Sequence, residues 1–81
     1  MNPEHQAAIE GLLQAMIDLQ EQKVLALGRR LRPGVTAEDL RNAHDFPELH
    51  DGDFHYEDGT LAGLLAAQSA LRARFRAGEK P

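Results

Sequence analysis

The side chains best suited to chemistry crowd into one stretch, HDFPELHDGDFHYED, which runs from His44 to Asp58. It holds three histidines and six carboxylates, with no lysine or arginine among them. Imidazole nitrogens together with carboxylate oxygens suit a divalent transition metal such as zinc, iron, nickel or manganese. Asp51, Asp53, His55 and Glu57 alternate along the chain, so an extended segment would project all four from one side. With His44 and His50 they form the candidate metal set: His44, His50, Asp51, Asp53, His55 and Glu57.

The spacing rules out several familiar sites. Counted from Asp51, the sixth position is Tyr56 and the twelfth Ala62, where a calcium-binding EF-hand loop needs glycine and glutamate. The histidines lie six and five residues apart, so no pair has the one-turn helical placement of a zinc protease. A magnesium site built from carboxylate pairs on helices would need several Glu-x-x-Glu or Glu-x-x-Asp spacings. Only Glu48-x-x-Asp51 occurs, beside the helix-breaking Pro47. There is no cysteine, which removes disulfides, thiolate metal sites and cysteine nucleophiles. No glycine-rich phosphate loop is present, and no serine or threonine sits in a recognisable nucleophile setting.

The charge is as uneven as the chemistry. Asp45, Glu48, Asp51, Asp53, Glu57 and Asp58 contribute −6; since the whole chain carries −4, the remainder carries +2. Such an acidic patch repels phosphate backbones, so nucleic acid is not an expected partner. The arginines fall into two groups, Arg29/Arg30/Arg32 and Arg72/Arg74/Arg76. Both stand near expected helix ends, where cations complement the helix dipole. No apolar run approaches the ~20 residues that span a membrane, and the opening MNPEHQ lacks the basic and apolar regions of a signal peptide. A cytoplasmic protein is expected.

Elements that would position the acidic stretch follow from periodicity and capping. Asn2 can cap a helix whose first position, Pro3, has its φ already set, and Glu4 favours the positive end of the dipole. Ile9, Leu12, Leu13, Met16, Ile17, Val24, Leu27 and Leu31 then recur on one broad face, interrupted at Gln20. This predicts a helix over about 3–31, stopped at Arg32-Pro33-Gly34. Thr36 with Asp39 makes a near capping box, and Val35 with Leu40 a hydrophobic staple, predicting a short helix over about 37–43. A last helix is expected over about 59–77. Leu61, Leu64, Leu65, Leu71 and Phe75 line one side, Gln68 interrupts them, and Gly59, Gly63, Ala66, Ala70, Ala73 and Ala77 stand opposite. Gly63 costs about 1 kcal/mol inside a helix, which a close approach by another helix would explain. Between the helices, 44–58 is expected to be an ordered acidic loop, because Phe46, Leu49, Phe54 and Tyr56 are interleaved with its charges as apolar anchors.

The fold expected for residues 1–81 is one all-α domain. It consists of an antiparallel helical hairpin with one short helix and the anchored loop. The first helix spreads its apolar face over roughly 140°, wider than one facing helix covers. A homodimer forming a four-helix bundle would close the rest, with Gln20 and Gln68 pairing near the seam. The function expected is a small non-enzymatic interaction or oligomerisation module, with itself and another protein as candidate partners. The alternative is a metal-binding or metal-dependent catalytic protein that uses the six ligands above.

Overall fold

The computed structural model describes residues 2–79, the side chain of Glu79 excepted. Helix α1 spans Pro3–Leu31. Its cap is the expected one: Asn2 Oδ1 accepts a hydrogen bond from the His5 N–H at 2.9 Å, with Pro3 and Glu4 in the first turn. At the far end Arg32 turns extended and its N–H closes on the Gly28 carbonyl at 2.8 Å. Pro33 blocks continuation. Gly34 follows at φ 85°, a left-handed conformation that favours glycine, and the chain reverses there.

Helix α2 spans Ala37–Arg41, two residues shorter than expected. Its capping box is complete: Thr36 Oγ1 accepts from the Asp39 N–H at 3.1 Å, and Asp39 Oδ2 from the Thr36 N–H at 3.0 Å. Two single 3-10 turns follow, Ala43–Asp45 and Pro47–Leu49. Helix α3 then runs from Gly52 to Glu79. It begins seven residues before the expected start at 59, so half of the expected loop is helical. Asp51-Gly52 reads as a turn in isolation, but here the Asp51 carboxylate accepts from the Phe54 N–H at 3.0 Å, the geometry of a helix N-cap. The His55 N–H bonds the Asp51 carbonyl at 2.9 Å, closing the first turn.

The two long helices pack together as an antiparallel pair, since Glu10 meets Arg72, Gln14 meets Gln68 and Gln20 meets Glu57. The molecule is a rod of 50 × 19 × 18 Å. Its driest region lies toward one end, where Val24, Val35, Leu49 and Phe54 are buried together. Leu31, Leu40, Phe46 and Leu61 pack against them. Each fully buried aliphatic or aromatic side chain of this kind contributes about 1.5–3 kcal/mol. Leu13 and Ile17 carry the buried line toward the middle of the rod. Among the described residues no helix is long and apolar enough to cross a membrane.

Candidate functional site

Of the expected anchors in the acidic segment, Leu49 and Phe54 are completely enclosed. Phe46 is half-buried under the Arg32 guanidinium, whose central carbon stands 4.7 Å from the ring centroid. Arg32 also reaches Glu48 at 3.3 Å, among the described residues the one ion pair of this segment with the first arginine group. Tyr56, expected as an anchor, is 72% exposed. The reason is the early start of α3. Once residues 52–58 are helical, Phe54 faces α1, and Tyr56, about 200° further around, faces solvent.

The same helix disperses the candidate ligands. Alternation would align Asp51, Asp53, His55 and Glu57 only in an extended chain, and on a helix they point in different directions. Asp51 caps α3. Asp53 lies exposed in its first turn. Glu57 turns inward to α1, where Gln20 Nε2 donates to its carbonyl at 2.8 Å and its carboxylate at 3.1 Å. Lys23 adds an ion pair to Glu57 at 3.0 Å. The Gln20 hydrogen bond first, that of Lys23 second, and the Lys23 charge last hold the Glu57 carboxyl below its ordinary value, against the opposing effect of burial.

The histidines gather more closely. The His50 and His55 rings are 6.3 Å apart, and His50 Nε2 lies 3.4 Å from the His44 carbonyl oxygen. His44 is turned toward Asp45 at 3.4 Å. All three histidines, with Asp58 and Arg41, border one open hollow beside α2. Among the described residues no three histidine or acidic side chains are close enough together to hold a metal ion.

The glutamines expected to pair across a dimer seam have partners inside the chain. Gln68 Nε2 donates to Gln14 Oε1 at 2.7 Å, and Gln20 serves Glu57 as described. One further position carries weight that periodicity did not reveal. Gly28 is buried because Leu40 of α2 crosses it: an added Cβ would lie 2.8 Å from Leu40 Cδ2. A glycine inside an otherwise strong apolar stripe was the available signal. Gly63, by contrast, faces open space, with nothing within 4 Å of an added Cβ, so no close approach by the described residues accounts for it.

Two surfaces remain, one on each flank of the hairpin. At about 100° per residue, Leu12, Met16 and Leu19 lie about 110° to one side of the buried line Leu13/Ile17/Val24, while Asp18, Glu21 and Leu25 lie about 90° to the other. The first flank is an apolar stripe in the open: Leu12 is 66% exposed, Met16 45% and Leu19 68%. The second is a groove of about 680 Å³ between α1, α2 and α3. No protein-family profile, curated protein or solved structure matches this chain at a significant level.

Proposed function

We propose that this chain is a non-enzymatic helical interaction module that self-associates through the flank of α1 bearing Leu12, Met16 and Leu19. One observation carries the reading. These three large apolar side chains, spaced four and three residues apart, form a stripe that the described residues leave exposed. Single exposed leucines are ordinary on a protein surface, but a helical stripe of three is the pattern of a packing face. Two copies related by a two-fold axis would lay stripe against stripe and form a four-helix bundle. Because Gln20 and Gln68 are engaged within each hairpin, the seam would be apolar rather than keyed by glutamine.

Sedimentation at micromolar concentration tests this directly. The expected mass is about twice the 9.0 kDa of one chain, and Leu12→Glu with Leu19→Glu should return it to 9.0 kDa without loss of helicity. A wild-type mass of 9.0 kDa, with unfolding independent of concentration, sinks the proposal.

A second reading, a transition-metal site, has one observation in its favour: His44, His50 and His55 border the same hollow. Elemental analysis of untagged protein separates the two readings, because self-association through leucines requires no stoichiometric metal.

A further inference from the structure

The groove on the other flank differs from the leucine stripe in shape and in charge. Its apolar walls come from all three helices: Leu25 of α1, Leu40 of α2, and Leu61 and Leu65 of α3. Leu65 is 41% exposed there, a large apolar side chain left facing a concavity. Asp18, Glu21 and Asp58 stand on the rim, opposed by Arg41 alone. None of these three carboxylates takes part in an ion pair among the described residues. Asp18 accepts a hydrogen bond from the neutral Gln14 amide at 3.0 Å. The groove therefore combines apolar walls with an excess of negative charge along its edge.

We propose that this groove docks a basic amphipathic helix of a partner protein. A trough bounded by helices accepts a helix whose apolar residues recur at three- and four-residue intervals. Lysine and arginine on the flanks of that helix would meet the three rim carboxylates. This complementarity hastens encounter and excludes acidic partners. Nucleic acid is disfavoured by the same charges. A second copy of this chain fits poorly. Its basic helical stretches are the ends of α1, with Arg29 and Arg30, and of α3, with Arg72, Arg74 and Arg76, but the apolar residues beside them, Leu27, Leu31, Leu71 and Phe75, are half-buried in the hairpin. The groove also lies on the opposite flank from Leu12, Met16 and Leu19, so the inference does not depend on self-association.

The test uses the full chain and a fluorescent synthetic peptide of roughly five helical turns, with leucine at i, i+3, i+4 and i+7 and lysine elsewhere. Two controls accompany it: a scrambled isomer of the same composition, and a version with glutamate in place of lysine. Fluorescence anisotropy should show the amphipathic lysine peptide binding at least about tenfold more tightly than either control. The variant Asp18→Asn/Glu21→Gln/Asp58→Asn, which leaves the packing untouched, should weaken binding by about tenfold, as three rim charges of a few-fold each would. Leu65→Asp should weaken it at least as much, whereas Leu12→Glu/Leu19→Glu should leave it unchanged. Far-UV circular dichroism of each variant checks that the hairpin persists.

Equal binding of the scrambled isomer would reduce the effect to bulk charge and overturn the proposal. So would full binding by the rim-neutralised variant, or loss of binding only on the leucine stripe. If Leu65→Asp instead shifts the concentration dependence of self-association, the occupant is a second copy and the proposal is wrong.

Discussion

Where α1 hands over to α2, the helix pair carries a third layer: Val35 and Leu40 from the α2 segment, Phe46 from between the 3-10 turns and Leu49 from the second of them, close over Val24 and Phe54. At the other end, Ile9, Gln68, Leu71 and Phe75 belong to the same two helices and follow the same periodicity, yet none of them is fully buried. The difference is one of layers. Two helices touch along a line and leave each other's flanks wet, so a dry core needs a third surface. The chain supplies that surface at the turn end. At the open end and along the Leu12/Met16/Leu19 stripe, none of the described residues supplies it.

Substitutions that compare the two ends give the largest expected effects. Phe54→Ala should destabilise the protein by about 3–5 kcal/mol in urea unfolding, because the ring is fully enclosed. Phe75→Ala should cost about half as much or less, since its ring is already partly hydrated. Equal losses would mean that the open end is as dry as the turn end, and the contrast drawn above would fail.

Asp51 sharpens the comparison at the turn end, where a candidate metal ligand has become a structural cap. Asp51→Ala should lower stability by about 1 kcal/mol and fray the first turn of α3, seen as faster amide exchange at Phe54. Asp51→Asn, which also caps, should retain most of that stability. If Asn were as harmful as Ala, the charge rather than the cap would matter.

Two glycines separate the covered region from the open one by sign. Gly63→Ala, facing empty space, should raise stability by about 1 kcal/mol through helix propensity alone. Gly28→Ala gains the same propensity but forces the flexible end of Leu40 aside, so its net change should fall near zero. Comparable urea midpoints for the two variants would show that the crossing of α1 by Leu40 is loose.

The smallest effect expected is that of pH on Glu57. Its pKa is lower in the folded chain than in the unfolded one, so its contribution is complete above the ordinary glutamate range. That contribution fades as pH falls through the lowered value. Gln20→Leu removes the principal cause and should move the Glu57 titration, followed by carboxyl chemical shifts, back toward the ordinary range. A titration unmoved by that change would assign the shift to Lys23 instead.

What the sequence determined by itself is the set of features fixed by neighbours within a turn or two. These are the Asn2-Pro3 start of α1, its stop at Pro33-Gly34, the Thr36/Asp39 capping box, and the amphipathic stripes that call for an all-helical hairpin. Each rests on local hydrogen bonds or backbone sterics, which are the same in any context. Tertiary structure decided the rest of the acidic segment. Asp51-Gly52 serves a turn or a cap equally well, and the choice falls to the cap because a helix begun at Gly52 carries Phe54 into the pocket beside Val24, Val35 and Leu49. That one packing event turned Tyr56 outward, sent Glu57 to a glutamine 37 residues away, and broke the alternation on which the candidate metal set rested. Likewise, Gln68 found Gln14 across 54 residues, a pairing that no local pattern encodes. Burial of a phenylalanine outweighs a turn propensity by a few kcal/mol, and a reading confined to neighbours along the chain contains no term for it.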